Sequence, residues 1–173
     1  RVAEIKKFGA KNGASLFATL LAGFAATLHR VLAANEPSDL VIGVPAAGQS
    51  AANLDHLVGH CVNLLPIRLE VQGGKRFPEL LSACQSGFLD AFEHQQFTFG
   101  SLLKKLAVPR DSSRLPLVSV MFNLDQVLDA NAIGFPGLDA EFFSNARRYE
   151  NFELFVNAVQ VDGALRFETQ YNA

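Results

Sequence analysis

The segment GVPAAGQS, at positions 43–50, nearly matches a loop that binds phosphate. That loop reads G-x-x-x-x-G-K-[ST] and follows a strand, and an apolar run ending at Ile42 precedes this segment. Gln49 stands where the pattern requires lysine, the residue whose charge holds the β and γ phosphates. We therefore favour the alternative hypothesis, in which Gly43, Pro45 and Gly48 belong to a tight loop whose glycines allow the backbone to pack against a neighbour.

A second candidate is the amide of Asn63, which lies in the apolar run VGHCVNLLPIRLEV at positions 58–71. Alternation along a strand places Asn63 on the same face as Leu65 and Ile67. A buried amide needs partners for two donors and an acceptor. Either a neighbouring backbone supplies them, or this face borders a polar channel, and the spacing leaves both interpretations open.

A third candidate is the charged run RDSSR at positions 110–114. It is either a solvated loop with a local ion pair or an anion site formed by Arg110 and Arg114. We favour the ion pair, because Asp111 neutralises one of the two arginines.

Composition excludes several classes of protein. Lysine and arginine (15) nearly balance aspartate and glutamate (17) without a basic run, which argues against a nucleic-acid partner. The longest apolar stretch, residues 16–28, is too short to span a bilayer. Cys61 and Cys84 lack the spacing of a disulfide scaffold or a metal site, so we expect no metal, no cofactor and a cytoplasmic location. The chain begins within a helix-like pattern without methionine, and we expect it to be a segment of a longer protein.

Hydrophobic periodicity predicts a single α/β domain in which helices cover a sheet. The predicted helices occupy residues 2–11, a segment from the Ser15 cap to about 34, residues 78–93, and a short segment capped by Thr98. The predicted strands occupy residues 40–44, 58–71 and 117–124, followed by a hairpin of 152–161 and 164–171 that turns at 162–163. A loop rich in glycine and proline is expected at 129–139.

Taken in order, these segments resemble the condensation domains of nonribosomal peptide synthetases. The matching stretches are IGVPAAGQ (42–49), LVGHCVNLLPIRL (57–69), HQQFTFGSLLKKL (94–106) and RDSSRLPLVSVMFNLD (110–125). They are similar, in order and spacing, to four motifs of the family's C-terminal half. FELFVNA (152–158) and LRFETQYN (165–172) resemble the hairpin that closes that half.

The resemblance implies a fold similar to chloramphenicol acetyltransferase, a sandwich of a mixed, largely antiparallel sheet with covering helices. Residues 1–173 would form the C-terminal subdomain of a condensation domain. The family's catalytic motif, HHxxxDG, belongs to the N-terminal half, and no adjacent histidine pair occurs here. In such domains a tunnel separates the halves, and an amide bond forms between a thioester donor and an amine acceptor. Both arrive on the phosphopantetheine arms of carrier proteins.

The resemblance also assigns roles to particular residues. It implies no catalytic residue in this chain and an inactive isolated fragment. It implies that Asn63, His94 and Gln95 line or support the tunnel. Its structural motif residues would be Gly43, Pro45, Gly48, Arg110, Asp111 and Arg114. The implied partners are the N-terminal half, carrier proteins and adjacent synthetase domains.

Three departures from the family wording stand out. Gln49 occupies a position where the family often has arginine, Gly100 one where it has glutamate, and CVNLL replaces F-V-N-T-L. The GHCVNLLP wording resembles domains beside polyketide-type modules, which argues against an ordinary aminoacyl donor and leaves both nonribosomal and hybrid polyketide-peptide biosynthesis open. The rival hypotheses are a nucleotide-binding domain of the phosphate-loop type and a non-catalytic docking or scaffold domain of the same fold.

Overall fold

The computed structural model describes residues 1–32, 37–48, 56–109, 111, 113–125, 137–138, 148–161 and 163–172. Within them the helices are α1 (Val2–Lys11), α2 (Leu16–Val31), α3 (Phe77–Glu93) and α4 (Phe99–Leu106). The strands are β1 (Ser38–Ala47), β2 (Val62–Val71), β3 (Val120–Asp125), β4 (Leu154–Val161) and β5 (Ala164–Tyr171).

The strands form one mixed sheet in the order β2-β1-β3-β4-β5. β1 pairs with β2, and β4 with β5, in antiparallel fashion, whereas β1 with β3 and β3 with β4 are parallel. The predicted α/β class with a mixed, largely antiparallel sheet is confirmed, because the two antiparallel pairings extend over more residues than the two parallel ones. The edge position of β2 accommodates Pro66, because an edge strand tolerates a missing donor.

The core lies between the helices and one face of the sheet. α2 contributes the fully buried Leu21 and α3 contributes Leu81, and both belong to one cluster with Ile42, Ile67 and Phe122 of the sheet. Alternation therefore places Leu65, Ile67, Leu69 and Val71 of β2 towards the helices, the face that the sequence predicts. The opposite face carries the intervening side chains.

Helix ends follow the expected capping chemistry. The Ser15 hydroxyl accepts a hydrogen bond from the Ala18 N–H at 3.1 Å, and the Thr98 hydroxyl accepts one from the Ser101 N–H at 3.2 Å. α2 ends at Val31, before the predicted end near residue 34, which lies outside the described residues. The predicted hairpin is present, with Gly163 at a φ of 74° in its turn.

Three strand boundaries differ from the prediction by three residues or more. β1 continues through Ala47 and not only to residue 44, so residues 45–47 are strand, because the neighbouring β2 pairs with β1 as far as Ala47 and Val62. β2 begins at Val62 and not at 58. β3 begins at Val120 and not at 117, because Leu117 has a φ of 68° and turns the chain there. The predicted loop at 129–139 lies almost entirely outside the described residues.

Among the described residues, no single helix is both long and apolar enough to cross a membrane. α1 and α2 reach that length only when taken together, and the chain bends by 98° between them.

Candidate functional site

The family-like segments meet at one edge of the sheet. β1, β3 and β4 run parallel, so their carboxyl ends, at Ala47, Asp125 and Val161, point to the same side. The start of β2 lies at this edge as well, because Val62 pairs with Ala47. In open α/β sheets, ligands bind beyond the carboxyl ends of the strands. Functional side chains are therefore expected at this edge.

Gly43 and Gly48 permit close packing on either side of β1. A Cβ atom added to Gly43 would lie 2.6 Å from Val118 Cγ1, and one added to Gly48 would lie 2.7 Å from the Cys61 carbonyl oxygen. The Gly48 N–H donates to that same oxygen at 2.9 Å. This amide is consequently committed to the protein backbone, whereas a phosphate-binding loop presents its N–H groups to the ligand.

Pro45 lies opposite Leu64 of β2, within the β1 strand. Within the described part of the chain, β1 pairs with β3 only through Ile42 and Gly43, so Pro45, which has no N–H to donate, lies beyond that pairing. Gln49 is outside the described residues. The structure thus gives a packing role to the glycines of this segment, and the nucleotide-binding hypothesis is not favoured.

Asn63 joins β2 to the linker between α3 and α4. Its Nδ2 donates to the Gln95 carbonyl oxygen at 2.9 Å and to the Phe97 carbonyl oxygen at 3.1 Å. Its Oδ1 accepts from the Phe99 N–H at 3.1 Å and from the Leu64 N–H at 3.0 Å. Both donors and both acceptor positions of the amide are therefore occupied by backbone groups. Asn63 holds the linker in place and keeps no free polar position for a ligand.

A cleft of about 440 Å³ lies between this linker and the Gly48–Cys61 contact. Asn63 and Gln95 line it, together with Gly48, Cys61, Val62, Leu64, Gln96, Thr98, Phe99 and Gly100. The Gln95 Oε1 atom is buried and accepts no hydrogen bond from the described residues.

His94 is exposed and does not line this cleft. Its Nδ1 atom lies 2.8 Å from the Asp90 carbonyl oxygen.

The RDSSR segment forms a local ion-pair network. Asp111 Oδ1 accepts from the Ser113 hydroxyl at 2.6 Å and from the Ser113 N–H at 2.9 Å. Arg114 lies 3.4 Å from Asp111 through Nε and 3.4 Å from Glu153 through Nη1. The Ser113 hydroxyl, then its N–H and the Arg114 charge, hold the pKa of Asp111 below its usual value. Arg114 thereby ties this segment to the start of β4, and Arg110 is outside the described residues.

Sequence reasoning missed a polar cluster on the sheet face opposite the helices. The cluster consists of Asn123 and Asp125 of β3 and Asn157 of β4, and each residue contacts the other two. Because Phe122 and Leu124 pack towards the helices, the alternate positions of β3 point to the other face. A signal was available, since these polar residues interrupt otherwise apolar strands, but only the pairing of β3 with β4 brings them together.

No group of three or more histidine, cysteine, aspartate or glutamate side chains within the described residues could hold a metal ion. Near this edge the structure combines the cleft beside Gln95, the hydrogen bonds by which Asn63 holds the α3–α4 linker, and the oriented carboxylate of Asp125.

The sequence pattern that defines the condensation domain family matches residues 1–173 of this chain. The chain belongs to the condensation domain family. It is 33% identical over 168 residues to bacitracin synthase 3 of Bacillus licheniformis, covering 97% of this chain and 3% of the relative. This condensation domain thus spans only a small part of its curated relatives.

Solved structures support the fold of this condensation domain. A holo four-domain nonribosomal peptide synthetase, AB3403, superposes with a TM-score of 0.83 at 19% identity, over 99% of this chain and 14% of that one. The condensation domain from the monacolin K polyketide synthase MokA gives a TM-score of 0.77 at 18% identity, over 97% of this chain and 38% of that one. The expected fold, similar to chloramphenicol acetyltransferase, is confirmed.

Proposed function

We propose that residues 1–173 are the C-terminal half of a condensation domain that forms amide bonds in nonribosomal or hybrid polyketide-peptide biosynthesis. A carrier-bound amine would attack a carrier-bound thioester, with both substrates on phosphopantetheine arms. The observation that carries the proposal is the Asn63 clamp. It joins the VNLL segment to the HQQFTF segment, at the edge where the VPAAG segment ends, in a chain that matches the family throughout.

The chain matches less than half of a solved condensation domain, which supports its assignment to one half of such a domain. The chain covers 38% of the MokA condensation domain chain, so more than half of such a chain has no counterpart here. The HHxxxDG motif also has no counterpart in this sequence. We infer that the catalytic histidine, the second wall of the tunnel and the sites for carrier proteins and adjacent synthetase domains involve residues outside this chain. We further infer a cytoplasmic location from the two free cysteines.

In this mechanism the residues of the chain position and enclose the substrates. Asn63 fixes the backbone of the α3–α4 linker, and the linker forms one wall of the cleft that Gln95 lines. Arg114 fixes the entry into β4 through Glu153. A histidine of the other half would deprotonate or position the amine, and enclosed dipoles would stabilise the tetrahedral oxyanion.

The parent protein provides the decisive experiment. Purified parent domain, supplied with an aminoacyl donor carrier and an aminoacyl acceptor carrier, should yield the amide product by mass spectrometry. Replacing both histidines of the HHxxxDG motif with alanine should abolish the product. Residues 1–173 alone should yield no product. Product from residues 1–173 alone would refute the assignment of catalysis to the other half. A folded parent that lacks HHxxxDG and forms no product would favour the docking or scaffold alternative.

The nucleotide-binding alternative has its own test. Because the Gly48 amide is committed to Cys61, ATP or GTP with magnesium should show no heat of binding in calorimetry. A dissociation constant in the micromolar range would reinstate that alternative. The variant Gln49→Lys, which restores the lysine of the motif, serves as the matched control and should not create binding either.

A further inference from the structure

The carboxylate of Asp125 is held in a fixed orientation at the carboxyl end of β3. Asn123 Nδ2 donates to its Oδ1 at 2.8 Å, and Asn157 Nδ2 donates to its Oδ2 at 2.8 Å. Asn123 Nδ2 also donates to Asn157 Oδ1 at 3.0 Å, which closes a triangle of three side chains. Two neighbouring parallel strands therefore cooperate to orient one carboxylate on the sheet face opposite the helices.

Three other carboxylates on or beside the sheet have a cationic partner, which Asp125 lacks among the described residues. Glu168 of β5 pairs with Arg166 at 2.8 Å, Glu153 pairs with Arg114, and Asp39 pairs with Arg68 at 2.8 Å. Asp125 is exposed, and its contacts within the described part of the chain are the two neutral amides. Its negative charge thus lacks a cation among the described residues.

The geometry selects among possible cations. Each carboxylate oxygen already accepts one amide N–H, so the parallel two-bond contact that a guanidinium prefers is hindered. An ammonium group is compact and needs only one remaining lone pair for a charge-assisted hydrogen bond. A primary ammonium is therefore the better complement.

We propose that Asp125 binds the protonated amine of the acceptor substrate, and that Asn123 and Asn157 position its carboxylate. The inference rests on the proposed function and names the group that recognises one of its two substrates. Asp125 contributes to the binding of the acceptor and not to the chemical step. The amine must lose its proton before it attacks the thioester, and Asp125 does not remove that proton. Loss of the charge should therefore raise KM for the acceptor and leave kcat nearly unchanged.

The test uses the intact parent protein and two stable probes. One is alanyl aminopantetheine, in which an amide replaces the thioester, and the other is its N-acetyl derivative, which has no charge. Asp125→Asn should weaken calorimetric binding of the first probe about tenfold, corresponding to the loss of one favourable charge pair, and leave binding of the second within about twofold. Glu168→Gln is the matched control, because it removes a carboxylate that an arginine already neutralises.

Asn157→Leu provides a second variant that keeps the charge and removes one of the two orienting donors. It should weaken the charged probe less than Asp125→Asn does and raise acceptor KM in the same direction. Equal weakening of both probes by Asp125→Asn, or the same effect from Glu168→Gln, would overturn the inference. So would an unchanged acceptor KM in a folded Asp125→Asn variant that still forms amides. If the wild-type parent binds the charged probe through Asp125 but forms no amide, the proposed function fails, while the binding of a primary ammonium at Asp125 stands.

Discussion

Val118 fills the space that a side chain at Gly43 would need, since a Cβ on residue 43 would lie 2.6 Å from Val118 Cγ1. Val118 is fully buried and lies in the segment that leads into β3. The contact joins two segments that are distant in the sequence, and it explains why β1 has glycine there.

The variant Gly43→Ala should lower the free energy of unfolding by about 1–3 kcal/mol, because the added methyl group overpacks a filled site. Val118→Ala should partly relieve the clash, so the double variant should be more stable than the sum of the single effects by about 1 kcal/mol. Urea unfolding of all four proteins measures this coupling. The control is Gly23→Ala in α2, where a Cβ meets nothing within 4 Å, and it should stabilise by about 0.5–1 kcal/mol. Additive single effects would show that Gly43 and Val118 do not compete for space.

Asn63→Leu should destabilise the protein, because it leaves the Gln95 and Phe97 carbonyl oxygens and the Phe99 N–H without their partner. Loss of such a partner typically costs about 1–3 kcal/mol for each buried group. Asn63→Asp is the matched variant. It keeps the acceptor for Phe99 but turns a carboxylate oxygen towards two carbonyl oxygens, so it should destabilise as well.

Activity must be measured beside stability in these Asn63 variants of the parent protein. We expect turnover per folded molecule to fall too, since the linker that Asn63 holds lines the cleft. Unchanged stability in both variants would contradict the clamp. Unchanged turnover per folded molecule would limit Asn63 to a structural role.

Burial raises the pKa of the Cys84 thiol from 9.0 to about 12. In the unfolded chain the thiol releases its proton near pH 9, whereas in the folded protein it does not until about pH 12. The free energy of unfolding should therefore be unaffected by Cys84 below pH 9 and should fall as pH rises from 9 towards 12. Denaturant titrations between pH 8 and 10.5 measure this fall, and Cys84→Ala should show a shallower one. Parallel curves would contradict the prediction.

Local features of the sequence predicted much of the fold. Ser15 and Thr98 cap the helices that follow them, and alternation identified the core face of β2, because capping and periodicity depend on nearby residues. Residues 45–47 were predicted to lie outside the strand, since a proline and two alanines show no strand periodicity and only the pairing with β2 makes them strand.

The candidate site was harder to predict because its contacts are non-local. Asn63 could be identified as a polar residue on the core face, but its partners in the α3–α4 linker lie more than 30 positions later, and periodicity does not encode such pairings. Asp125 depends on the register between β3 and β4, which sets Asn123 beside Asn157. No pattern within either strand specifies that register.

An open apolar cavity of about 830 Å³ lies between α1, α2 and strands β3 to β5. Its aromatic lining consists of Phe8, Phe24, Phe77, Phe122 and Phe167. Phe8 is 39% exposed and Phe167 is 52% exposed. Exposed apolar surface of this kind is uncommon on monomers, and a net charge of −2 provides little repulsion between copies.

Residues 1–173 alone should therefore bind an apolar fluorescent dye and self-associate at high concentration in sedimentation velocity. Phe167→Ser should reduce both effects, because it removes an exposed ring from the cavity wall. Tyr171→Ser is the matched control, since Tyr171 is 69% exposed on the same strand but does not line the cavity, and it should change neither effect. Adding the N-terminal half in trans should suppress association, as the proposed function predicts. A monomer that binds no dye would show that this cavity does not attract apolar partners.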